Sequence, residues 1–295
     1  MFKKLSTIVG VGLLALLIFG AVPAWGAGPI CTVPGTYGTI QAAVNDAGCT
    51  TINVAAGTYT GNLTIPNGVI LQSTAGAAST TIMGTGSTAA VTISADNVTI
   101  DGFTITNPSG TEGIHAADHS YLTIKNNTVT NFDGSASGYG NSGIVILSSS
   151  SAITDITIVN NQISAIRHTT SGRSAHGIFI GDSNGSKNIT GVVIQNNTIS
   201  DVTANTSAWP TGHGAYGILI NHNPTVGVQV LDNTISNIEG LWAHAIGLEG
   251  DTPNALVQGN TISNVVDHLS PSDAVGIHFE DNLSANTVTI SGNSF

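Results

Sequence analysis

One short motif, repeated along the chain, constrains the fold more than any other feature. Leu122-Thr-Ile-Lys-Asn-Asn-Thr-Val returns as Ile156-Thr-Ile-Val-Asn-Asn-Gln-Ile, Val192-Val-Ile-Gln-Asn-Asn-Thr-Ile, Val228-Gln-Val-Leu-Asp-Asn-Thr-Ile, Ala255-Leu-Val-Gln-Gly-Asn-Thr-Ile and Val288-Thr-Ile-Ser-Gly-Asn-Ser-Phe. A worn copy, Val98-Thr-Ile-Asp-Gly-Phe-Thr-Ile, precedes them. The second Asn of each unit falls at Asn127, Asn161, Asn197, Asn233, Asn260 and Asn293, a recurrence every 27 to 36 residues that marks a stacked repeat architecture. Apolar and polar residues alternate on both sides of it. That is the period of two strands joined at the Asn, a residue that tolerates the left-handed backbone of a sharp turn. Stacked asparagines are expected to bond neighbouring coils. A third strand follows in each unit: Gly113-Ile-His, Gly143-Ile-Val-Ile, Gly177-Ile-Phe-Ile, Gly217-Ile-Leu-Ile, Ala245-Ile-Gly-Leu and Gly276-Ile-His-Phe. Three short strands per turn, with length variation confined to two corners, predict an all-β parallel solenoid over 51–295.

The two ends read differently. Over 27–50, Ile40, Ala43, Val44 and Ala47 share helical i, i+3, i+4, i+7 spacing. An amphipathic helix with Gly48 at its C-terminus is therefore expected to cap the first coil and cover its strand edges. Further upstream, Phe2-Lys3-Lys4, an apolar run from Leu5 to Val22, Pro23 and Ala24-Trp25-Gly26 stand in the order of a secretory signal peptide. Residues 1–26 are read as that signal, cleaved after Gly26, with an uncleaved membrane anchor as the rival. Bulky Ile30 before Cys31 argues against lipoprotein processing. In an exported chain with two cysteines, a disulfide between Cys31 and Cys49 is the simplest account, contributing about 3 kcal/mol. At the far end, Phe295 takes the inward position at which the second strand of a new coil begins. The chain is expected either to be a fragment of a longer protein or to self-associate through that open end.

Charge narrows the partners. Of 295 residues, 6 are Lys or Arg and 17 are Asp or Glu, so 8% are charged, against roughly 25% in an ordinary soluble domain. Salt bridges cannot organise such a fold. Cleavage of a leader carrying Lys3 and Lys4 leaves still fewer basic residues, so no nucleic-acid footprint is expected. A polyanionic substrate would need a bridging cation. No membrane span is expected once the leader is removed.

With its Asn units and Gly-Ile-x-Ile strands, the chain resembles the right-handed parallel β-helix proteins of the pectin-lyase-like superfamily over nearly all of its mature length. Thr39-Ile-Gln-Ala-Ala-Val-Asn-Asp-Ala, Ile52-Asn-Val-Ala-Ala-Gly-Thr-Tyr and Leu63-Thr-Ile-Pro are similar to the opening segment of that superfamily, pectin methylesterases included. The resemblance implies a polysaccharide or glycan partner in a groove along the Gly-Ile-x-Ile strands. Several of the superfamily's signatures are missing. Neither the catalytic Asp and Arg motifs of pectin methylesterases nor the Asn-Thr-Asp and Asp-Asp of polygalacturonases is found, and a pectate-lyase base would have to be Arg167 or Arg173.

Alternation then places side chains on the groove. One position before the reference Gly or Ala stand Glu112, Ser142, His176, Tyr216, His244 and Val275; two after it stand His115, Val145, Phe179, Leu219, Gly247 and His278. His176, Tyr216 and His244 should form a row, with Glu249, Glu280, Asp182 and Asp251 at the other end of the strands. Imidazoles and a phenol beside carboxylates can transfer protons, so His176, Tyr216, His244 and Glu249 are the candidate catalytic residues. Arg167, Arg173, Trp209, Trp242 and Asp182 are candidate substrate-binding residues, Arg for a sugar carboxylate and Trp for stacking on a pyranose ring. No cofactor is required, although Glu249, Asp251, Glu280 and Asp281 on adjacent coils offer oxygen ligands for Ca²⁺. The leading expectation is a secreted, periplasmic or cell-surface protein acting on a polysaccharide by lyase or glycosidase chemistry. Its rival is a noncatalytic carbohydrate-binding or cell-surface solenoid.

Overall fold

The computed structural model describes residues 28–134, 140–168, 172–181, 187–207, 213–221, 224–268, 274–280 and 287–295. The expected leader lies outside them. The chain winds into a parallel β-helix built of three sheets with 11, 8 and 8 strands, in which each strand pairs with its equivalent one coil away. One full coil shows the pattern: Leu122–Lys125 lies in the first sheet, Thr128–Phe132 in the second and Gly140–Leu147 in the third. We call the third the groove sheet.

Register follows from what each position buries. Ile100, Ile124, Ile158, Ile194, Val230 and Val257 stack in one inward column. Val129, Ile163, Ile199, Ile235 and Ile262 form a second column, and Ile114, Ile144, Ile178, Ile218, Ile246 and Ile277 a third. Branched side chains with few rotamers suit this stacking, and each one fully buried contributes about 1.5–3 kcal/mol. A one-residue slip of any strand would turn its column out to solvent.

The corner between the first two sheets divides its labour between two residues. Left-handed backbone is adopted by the residue before each repeated Asn: φ is 56° at Asn126, 57° at Asn160, 55° at Asn196, 54° at Asp232 and 69° at Gly259. The repeated Asn itself points inward and stacks. Asn161 donates from its backbone N–H and from Nδ2 to Asn197 Oδ1, at 2.9 and 3.0 Å, and from Nδ2 to the Ile124 carbonyl at 2.9 Å. Asn197 repeats this pattern onto Asn233, Asn233 onto Asn260, and Asn260 onto Asn293. In the worn copy Phe103 replaces the Asn, and only its N–H donates, to Asn127 Oδ1 at 3.0 Å. The ladder satisfies polar groups that burial would otherwise strand.

The expected helix is present but short, spanning Ile40–Val44 with Ile40, Ala43 and Val44 buried against the first strands. Thr39 Oγ1 accepts from the Ala42 N–H at its start. Asn45 rather than Gly48 is its C-cap. The turn beyond is held by Asp46, whose Oδ1 accepts the Gly48 N–H at 2.8 Å, so Ala47 is left exposed instead of extending the apolar face. Cys31 and Cys49 are joined by a disulfide.

Candidate active site

The reference glycines stand where the next coil comes close. A Cβ on Gly177 would stand 2.5 Å from the Gly217 carbonyl and 2.5 Å from Ile199 Cγ2, and one on Gly217 equally close to the Ala245 carbonyl. Glu112, Ser142, His176, Tyr216, His244 and Val275 align in register before this position, and His115, Val145, Phe179, Leu219, Gly247 and His278 after it.

The row is not uniform in its exposure. His176 is 2% exposed. Its Nδ1 is 3.0 Å from Ser142 Oγ, and its ring stacks on Tyr216 with centroids 5.5 Å apart. Burial, with a smaller push from His168, lowers its pKa to about 3, so the imidazole is neutral at physiological pH. Around it Val145, Leu147, Phe179, Tyr216 and Leu219 form a buried apolar cluster on the outer face of the groove sheet. Sequence alternation places His176 in a catalytic row, whereas the fold seats it beneath this cluster.

One coil further the surface opens. Tyr216, Trp242, His244, Glu249, Val275, His278 and Glu280 line a pocket of about 480 Å³. Beside two of these residues lies Gly247, the one position of the second row without a side chain: a Cβ there would meet Leu219 Cδ1 at 3.0 Å, Tyr216 Cδ1 at 3.5 Å and Glu249 Oε1 at 3.6 Å. Glu249 turns back across this gap toward His244, its Oε1 standing 3.9 Å from Nδ1. That distance is too long for a hydrogen bond. Nδ1 of His244 is buried without a hydrogen-bond partner, although the residue is 5% exposed. Desolvation first, and the proximity of His278 second, lower its pKa to about 4. His278 stacks on it with centroids 4.2 Å apart, and His278 Nε2 is 3.4 Å from Glu280 Oε2.

Tyr216 forms the opposite wall. Trp242 donates its Nε1–H to the phenol oxygen at 2.9 Å, which leaves the phenol proton for Glu249 or a ligand. Burial, then the Glu249 charge, push its pKa well up, so it stays protonated. Gly214 permits the Trp242 contact, since a Cβ there would lie 2.2 Å from Nε1.

The other candidates are dispersed. Arg167 lies on the strand Gln162–His168 of the second sheet rather than in a loop, and lines a separate hollow with Asp201, Asn237 and Glu239. Arg173 is exposed just before the strand Ser174–Gly181, close enough for its charge to lower the pKa of His213, after burial. Among the four acids, Glu249 and Glu280 are register partners. The Asp251 carbonyl accepts the Thr225 N–H. Trp209, Asp182 and Asp281 lie outside the described residues. Among those described, the side chains whose donor atoms converge are His244, Glu249 and His278, all within 4.8 Å of one another. His278 is the functional candidate that alternation left in a separate row.

Fold and register define the class: a right-handed parallel β-helix carrying one side-chain pocket toward the C-terminal end of its groove sheet. The chain belongs to the right-handed β-helix family, whose description, "Right handed beta helix region", matches residues 67–262. No curated protein matches it by sequence. Similar solved structures include a pectin methylesterase in complex with a hexasaccharide, at 13% identity and TM-score 0.48, covering 91% of this chain and 90% of that one. An alginate lyase from Paenibacillus is 15% identical with TM-score 0.47, covering 90% and 94%. The pectin methylesterase from carrot is 14% identical with TM-score 0.42, covering 90% and 89%.

Proposed function

We propose that this is an exported carbohydrate-active protein that takes a sugar chain along the outer face of the groove sheet and acts on it at the pocket by lyase or glycosidase chemistry. The observation that carries the reading is the content of the pocket, where a phenol, two imidazoles and two carboxylates line one hollow. Either reaction needs a group that accepts a proton and one that returns it to the leaving oxygen. Tyr216 is the donor, held protonated by burial and oriented by Trp242. Glu249 is the principal acceptor, facing Tyr216 and His244 at once. The Trp242 indole and the His278 ring, stacked over His244, offer flat faces to a pyranose. A Cys31–Cys49 disulfide and the apolar leader both support export.

A second reading, a noncatalytic carbohydrate-binding solenoid, draws support from the burial of His176 and from the place of Arg167 on a different sheet. One experiment separates the two. Mature protein is screened against uronate-containing and neutral polysaccharides, with unsaturated products and new reducing ends both recorded. We expect cleavage by the wild type that Glu249→Gln lowers by about a hundredfold, the usual scale for losing a general acid or base. Binding without cleavage by the wild type establishes the second reading, and neither binding nor cleavage removes both.

A further inference from the structure

Three side chains in the pocket have a property that proton transfer to a sugar does not require. His244, Glu249 and His278 each present one donor atom, and those atoms lie within 4.8 Å of one another. Two ligands about 2.1 Å from a tetrahedrally coordinated ion stand about 3.4 Å apart. The 3.9 Å between His244 Nδ1 and Glu249 Oε1 therefore needs only a small side-chain adjustment to reach that spacing. An independent observation points the same way. His244 Nδ1 has no hydrogen-bond partner although its side chain is more than nine-tenths buried, and it faces the Glu249 carboxylate. A buried polar atom left in that state is costly unless something binds it.

We infer that His244, Glu249 and His278 form a site for a divalent first-row transition ion of the zinc type. Donor chemistry selects the ion. Two imidazoles and one carboxylate are a borderline-soft set that suits Zn²⁺ or Co²⁺, whereas Ca²⁺ takes six to eight oxygens. Glu280, 3.4 Å from His278 Nε2, supplies the carboxylate that commonly orients a metal-bound imidazole. Three protein ligands leave a coordination position open toward the pocket, as in catalytic rather than structural sites.

The inference deepens the proposed function, because it places the ion in the pocket assigned to the sugar chain. With the ion bound, Glu249 exchanges its proton-accepting role for that of a ligand beside His244 and His278, and Tyr216 remains the group that gives the proton. The two ideas fail separately. Metal binding is measured without any sugar, and cleavage is measured with and without chelator.

The test is a titration of chelator-treated full-length mature protein with Co²⁺, followed by its visible d–d absorption and by displacement with Zn²⁺. One equivalent should bind with the absorption of a four- or five-coordinate site, and Zn²⁺ should displace it. His278→Ala, the variant of the more exposed imidazole, should weaken binding by at least about a hundredfold while the apo protein keeps its melting temperature. Glu249→Gln should weaken it comparably, which keeps the test decisive if His244→Ala fails to fold. Absence of stoichiometric Co²⁺ binding, wild-type Co²⁺ affinity in both the His278→Ala and the Glu249→Gln variants, or displacement of Co²⁺ by an equal concentration of Ca²⁺ would each overturn the site. Chelator-resistant cleavage by a protein that binds no Co²⁺ would remove the metal and leave the proposed function standing.

Discussion

Two rows of residues climb the same solenoid, and they differ in what changes from coil to coil. The inner row, Asn127 to Asn293, keeps the same residue at every step, and each amide bonds the next. The outer row of the groove sheet reads Glu112, Ser142, His176, Tyr216, His244 and Val275, a different environment at almost every step. A repeat lattice imposes one geometry on both. Where sameness persists, the lattice itself is being held together, because a ladder works only if each rung matches its neighbours. Where residues vary, the position is free to carry local chemistry. The difference even separates His176 from His244, two imidazoles in the same row. One is sealed against Ser142 and Phe179, and the other lines a pocket on a coil whose neighbouring row falls to Gly247.

The largest effect should come from breaking the inner row. Asn197→Ala removes the acceptor for two donors of Asn161 and two donated bonds, to the Ile158 carbonyl and to Asn233. At about 1–3 kcal/mol for each buried group left unsatisfied, a loss of about 4 kcal/mol in urea unfolding is expected, with sugar affinity unchanged. A stability change under about 1 kcal/mol would mean that the ladder is ornamental.

A second effect, small at neutral pH and growing as pH falls, should come from the sealed member of the outer row. The folded-state pKa of His176 lies near 3, below the ordinary value of 6.5. Above pH 6.5 both folded and unfolded chains hold the imidazole neutral, so its stabilising contribution is complete there. As pH falls from 6.5 toward 3, the unfolded chain takes up a proton that the folded chain refuses, and stability declines by up to about 1.4 kcal/mol per pH unit. His176→Phe should flatten that part of the wild-type pH–stability curve. An unchanged slope would show that His176 is accessible to protons in the folded state.

The inner row and the strand register were legible in the sequence, because solenoid stacking converts sequence repetition directly into spatial alignment. Every outer-row pairing read by alternation recurs in the strand register. The pocket was only half legible. Tyr216, His244 and Glu249 are found by counting from Gly217 and Ala245, but His278 sits two positions beyond its own reference glycine, in what alternation treats as a separate row. In the fold the two rows meet, His176 against Phe179 and His244 against His278, which strict alternation does not show. Nor can alternation see that Gly247 matters, since a missing side chain between Leu219 and His278 is visible only as space. Burial of His176 depends on Phe179 and Tyr216 closing over it, a packing event across two coils. Arg167 falls on the strand Gln162–His168 of the second sheet, which runs further past its turn than the Asn unit alone implies.

The account stands most directly on Gly247. Its row carries Val145, Phe179 and Leu219 on preceding coils, so the lattice accommodates bulk there. Gly247→Val puts a side chain against the pocket residues Tyr216 and Glu249 without removing any acid, base or candidate ligand. Measured on whichever polysaccharide the wild type handles best, Gly247→Val should lower turnover or affinity at least about tenfold, some 1.4 kcal/mol, while the melting temperature is kept. Wild-type kinetics and affinity in a folded Gly247→Val protein would contradict the assignment of function to this pocket.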